Sequence, residues 1–126
     1  MWGTTDGWAA GAIISTTADL ERFTNALFQG RIVRRGPPLE EMFTLPQVTD
    51  FKTGAPAAYS VGLSMKKLGG REVWGKTGGR WGYTTVIAST RDGSRTLVYS
   101  VNATDAKGQD MNKVAQSVMV ATYGRT

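Results

Sequence analysis

The chain has 126 residues, 40% hydrophobic and 10% aromatic, which suits one small packed domain or part of a larger one and excludes a disordered polymer. Its formal net charge of +5 is spread over scattered lysines and arginines with no long basic tract, so no nucleic-acid partner is expected. With no Cys and no His, the composition rules out zinc sites on thiolate or imidazole, Cys nucleophiles and a Ser-His-Asp triad.

In chain order, MWGTTDGW lacks the basic and apolar regions of a signal peptide, so any export signal of a parent protein is expected outside this chain. No run approaches the roughly 18 apolar residues that cross a bilayer, and no membrane span is expected. ISTTADLERFTNALFQG reads as a helix: Thr16 and Asp19 form an S/T-x-x-D/E start, Leu20, Phe23, Leu27 and Phe28 line one face, and Gly30 stops it. RRGPPLEEMFTLP predicts a short helix opened by Pro37 and Pro38 and closed by Pro46. Residues 47–58 read as an irregular surface loop.

From Tyr59 the pattern becomes β. YSVGLSMKKL reads as a strand, Gly69 and Gly70 as a hairpin turn, REVWGKT as a second strand and YTTVIAST as a third. Residues 91–94 turn the chain into a fourth strand, RTLVYSVN. A closing helix carries Met111, Val114, Ala115, Val118 and Met119 at core spacing. The fold class expected is α+β, an antiparallel meander of about four strands packed with an N-terminal and a C-terminal helix. It is read as a single partial domain, with a helical segment over residues 1–58 and the sheet plus closing helix over 59–126.

GREVWGKTGG, residues 70–79, can be spelled two ways. From Gly70 it fits the phosphate loop G-x-x-x-x-G-K-[ST]; from Lys76 it is K-T-G. A phosphate loop needs a helix directly after Lys-Thr to gather N–H groups around the anion, whereas GGRWGYTTVIAST is glycine-rich and then β-branched. Nucleotide binding therefore ranks third among the readings. K-T-G asks instead for a strand beside a cleft, with glycines that permit close approach, and that is the context here.

Three blocks resemble the β-lactamase-related serine hydrolases, the family of class C β-lactamases and D-alanyl-D-alanine carboxypeptidases, which are penicillin-binding proteins. GWAAGAIISTTADLERF (7–23) is similar to the family's A-G-G-x-x-S-T-x-x-D-L-x-R-F stretch. YSVGL (59–63) is similar to its Y-G-L-G strand, and GKTGGRWGY (75–83) to its G-[HK]-T-G-x-x-x-G-[YF] segment. The resemblance implies a partial β-lactamase/transpeptidase-like fold with no cofactor and no metal. It implies that Lys76 attracts a substrate carboxylate, that Thr77 hydrogen-bonds it, and that Gly78 keeps the strand face clear. Gly79 matches the position whose backbone N–H is one oxyanion donor and whose carbonyl accepts the substrate amide. Gly82 and Tyr83 match the turn into the next strand, with Tyr83 as a packing residue.

Neither of the family's other two motifs is convincing here. SMKK (64–67) spells S-x-x-K, but on a predicted strand Ser64 and Lys67 point to opposite faces. Tyr99, Ser100, Val101 and Asn102 hold one residue too many for Y-x-N. The nucleophile and proton relay are thus expected in a segment this chain lacks, leaving it inactive alone. Trp2, Trp8, Trp74 and Trp81 are read as core and seam residues, with Trp81 the one placed to line a cleft. Arg80 is read as a solvated charge, and Asn102-Ala103-Thr104 as a glycosylation spelling relevant only to a secreted eukaryotic protein.

The leading expectation is the C-terminal segment of a serine hydrolase acting on acyl-D-Ala-D-Ala peptides, β-lactams or small esters, of a family whose members are usually exported. The alternative is a non-catalytic module that binds a ligand or a partner. Expected partners are a small molecule or peptide with a carboxylate, and either a complementing N-terminal segment or a second copy.

Overall fold

In the computed structural model the described residues are 11–80, 82–103 and 113–124. Helix α1 (Thr17–Phe28) begins where Thr16 accepts the Asp19 N–H at 3.1 Å and donates its hydroxyl to the Asp19 carboxylate at 2.9 Å. It ends in a Schellman turn: Gly30, at φ +67°, bonds Leu27 O, and the Arg31 N–H reaches Ala26 O. The predicted apolar face is rotated from expectation. Thr24, Leu27 and Phe28 are buried, whereas Phe23 is 44% exposed because the helix meets the sheet through its 24/27/28 side. Helix α2 (Pro37–Glu41) is opened by its two prolines as expected.

Four antiparallel strands follow in the order β1 (Ser64–Leu68), β2 (Arg71–Arg80), β3 (Gly82–Thr90) and β4 (Thr96–Ala103). The first is shorter than predicted. Gly62 at φ +88° and a Ser60 N–H bonded to Leu63 O turn residues 60–63, so pairing starts only at Ser64. Gly69 and Gly70 both have positive φ, as a two-residue I′ hairpin requires, which fixes the register Leu68↔Arg71 through Ser64↔Gly75. Helix α3 (Lys113–Tyr123) closes the fold. Ala115, Met119 and Tyr123 are its buried stripe; Val114 is 60% exposed, and Met111 lies outside the described residues.

Strand alternation sends side chains to two separate cores. One face carries Val73, Val86, Ala88 and Tyr99 against Ala115, Met119 and Tyr123 of α3. The other carries Trp74 and Met65 against Leu27 and Phe28 of α1 and Phe43 beyond α2. Phe43 stacks edge-on against both Phe28 (5.0 Å) and Trp74 (5.4 Å). The Arg91 guanidinium sits 4.0 Å over Phe43 and bonds Glu40 at 2.7 Å, tying α2 to the β3–β4 turn. Among the described residues no helix is long and apolar enough to cross a membrane.

Candidate functional site

Strand β2 has two halves with different surroundings. Its first half is held on both sides, by β1 as far as Gly75 and by β3 from Thr90. Among the described residues its second half, residues 76–80, pairs only with β3, from Lys76↔Ile87 to Arg80↔Tyr83. Among the described residues no strand runs along the other side, so the K-T-G segment is an open edge. The phosphate-loop spelling has no matching structure, because Lys76 and Thr77 lie mid-strand and the next element is strand β3 rather than a helix.

The direction of each backbone group on that edge follows from the ladder. The Ser64 hydroxyl donates to Gly75 O at 3.0 Å, which places the Gly75 carbonyl on the β1 side. Backbone groups of an antiparallel strand alternate sides, so those of Thr77 and Gly79 also face the open edge, and those of Lys76 and Gly78 face β3. Consistently, Lys76 Nζ folds over the edge and donates to Thr77 O at 2.8 Å. The result is a short strip with a cation, two outward N–H groups and two outward carbonyls.

Side chains divide across the sheet. Trp74, Lys76 and Gly78 belong to the α1 face, together with Tyr83, which is paired to Arg80 and 47% exposed. Val73, Gly75 and Thr77 belong to the α3 face. Trp74 is buried and anchors the strand two residues before Lys76 and four before the exposed Gly78 and Gly79. The glycines serve different ends. A Cβ on Gly75 would collide with Ile87 O and come within 2.9 Å of Ala88 Cα, whereas a Cβ on Gly78 would meet nothing within 4 Å.

Lys76, Thr77, Gly78 and Gly79 therefore come together, while Trp81 lies outside the described residues, as do Trp2 and Trp8. The S-x-x-K spelling is split by the sheet as alternation requires. Ser64 faces the α3 side and Lys67 the α1 side, so they cannot form a nucleophile–base pair. Tyr99 is buried in the α3 core with no partner for its hydroxyl, and burial raises its pKa; Asn102 instead donates to Gly82 O at 3.3 Å. These two form no relay. A cleft beside the edge, lined by Ser64, Lys66, Gly75, Thr77 and Met119 among others, escaped the sequence reading. The two-glycine hairpin could have revealed it, since its register puts Ser64 and Lys66 on the Thr77 face.

The family model described as Beta-lactamase matches residues 1–119. The chain belongs to the beta-lactamase family. A D-stereospecific amidohydrolase from a Streptomyces species has a crystal structure that matches this beta-lactamase-family chain with a TM-score of 0.67 and 34% identity. The match covers 86% of this chain and 30% of that one, so the chain spans about 30% of that enzyme's length. Among the described residues, the α+β arrangement of three helices and a four-stranded antiparallel sheet is that of a partial β-lactamase-like fold, a serine-hydrolase type.

Proposed function

We propose that this beta-lactamase-family chain supplies the substrate-carboxylate and oxyanion strand of a serine hydrolase that acts on acyl-D-Ala-D-Ala peptides, β-lactams or small esters. It does so as one partial domain, residues 1–126, whose nucleophile lies in a segment outside it. The observation that carries this is the open β2 edge, with the Lys76 ammonium on Thr77 O and the backbone of Gly79 facing outward. Lys76 and Thr77 attract and bond a carboxylate, and the Gly79 N–H meets the oxyanion that develops when the carbonyl is attacked. Gly78 supports the reading separately. The fold has room for a side chain there, so the glycine answers no packing constraint and leaves the strand face clear for an approaching ligand. The D-stereospecific amidohydrolase adds weight to an amide substrate of D configuration.

The split of Ser64 from Lys67 favours a second reading, a non-catalytic module that keeps the cradle and binds without acylation. A fluorescent penicillin followed by denaturing electrophoresis separates the two. The chain alone is expected to stay unlabelled, because an oxyanion donor without a nucleophile forms no acyl-enzyme. Labelling on adding the N-terminal remainder of the protein is expected for the hydrolase; reversible binding that never becomes covalent supports the module. Covalent label on Ser64 of the chain alone overturns both.

A further inference from the structure

The cleft beside the open edge lies on the α3 face and has its own chemistry. Gly75 and the apolar Met119 of α3 line it together with Ser64, Thr77, Lys66 and Lys76. Its volume is about 60 Å³. A water needs on the order of 10–15 Å³, so the cleft holds about four to six heavy atoms, a carboxylate on a stem of one or two methylenes. Glu72, the carboxylate paired across from Lys67, lies on the opposite face by alternation. Among the described residues the ion pairs are Arg22–Asp19 and Arg91–Glu40, and neither involves Lys66.

Two lysines line the cleft, Lys76 at the open edge, where its ammonium bonds Thr77 O, and Lys66 on β1, two residues in from Ser64 and on the same sheet face as Thr77. An extended ligand laid along β2 continues the lane of β1 beyond Ser64, and its alternate side chains point to the α3 face. We infer that Lys66 is a specificity-determining residue: the cleft takes a short acidic side chain, so the site prefers a ligand with a second carboxylate beyond the one bound at Lys76 and Thr77. This rests on the open edge being the ligand's seat.

Titration of the ¹⁵N-labelled chain, at a dilution where sedimentation velocity shows a monomer, with N-acetyl-D-Ala-D-Glu and with its neutral isostere N-acetyl-D-Ala-D-Gln tests it, reading the amide shifts of Thr77 and Gly79. The Glu ligand is expected to bind about three- to fivefold more tightly, the upper part of the range for a partly exposed ion pair. Lys66→Gln is expected to abolish that preference while leaving the affinity for the Gln ligand within about twofold. Lys67→Gln, a charge loss on the opposite face, is expected to preserve it. Equal binding of the two ligands with the Thr77 and Gly79 shifts intact, or a preference that survives Lys66→Gln, overturns the role of Lys66 alone. If neither ligand moves those amides, the edge is not the seat and both readings fall.

Discussion

Tyr123, fully buried at the end of α3, donates its phenol hydroxyl to Ala88 O at 3.0 Å. Burial pushes that phenol up to about 12. In the unfolded chain a tyrosine titrates near 10. The neutral phenol's contribution is therefore complete below pH 10 and is lost as pH rises from there through 12. Tyr123→Phe is expected to lower stability by about 1 kcal/mol at neutral pH, the net worth of one hydrogen bond. The same variant is expected to show a shallower loss between pH 10 and 12 than the wild type in urea unfolding. Identical alkaline limbs would contradict this assignment. In the sequence Tyr123 stood out from neither motif nor composition, because its importance comes from a carbonyl 35 residues away. Lys76, Thr77 and the two glycines after them were legible, since K-T-G is a contiguous spelling whose neighbours also read as strand. Lys66 was not: it faces Thr77 only through the register of the hairpin.

At the scale of elements, β2 is where local pattern and packing meet. The β-branched third strand and the two-glycine turn were readable because alternation and positive φ are properties of neighbouring residues. The start of β1 was not, since residues 60–63 turn away through bonds to a loop and to Met42 O at 2.5 Å. Gly75 looks in sequence like part of a motif, but in the sheet it is a contact glycine against β3. Gly75→Ala is expected to cost about 1–3 kcal/mol through overpacking, measured as a lower urea midpoint with unchanged m. Gly78→Ala, with space around it, is expected to change stability by no more than about 0.5 kcal/mol while weakening ligand binding at the edge. A large loss of stability in Gly78→Ala would remove that glycine's argument for a ligand.

The whole molecule leaves apolar surface uncovered. Ile13 and Ile14 are 85% and 86% exposed, Val120 on α3 is 53% exposed, and β4 is the last strand of its sheet, with no Lys, Arg or Pro along it to blunt the edge. With the chain spanning 30% of its amidohydrolase relative, these surfaces suit contacts made by a longer protein. The chain alone is expected to self-associate in sedimentation velocity and to bind a hydrophobic dye; a dye-silent monomer at 100 µM or roughly that order would count against it. The sequence by itself determined the element types, the hairpin, the family blocks and the absence of thiol and imidazole chemistry, all of which depend on residues close along the chain. Only the tertiary structure decided which half of β2 is open, which face each lysine serves and why Gly75 and Gly78 differ. Those depend on where β1 stops and what lies across the sheet, and a strand carries no local record of its neighbours.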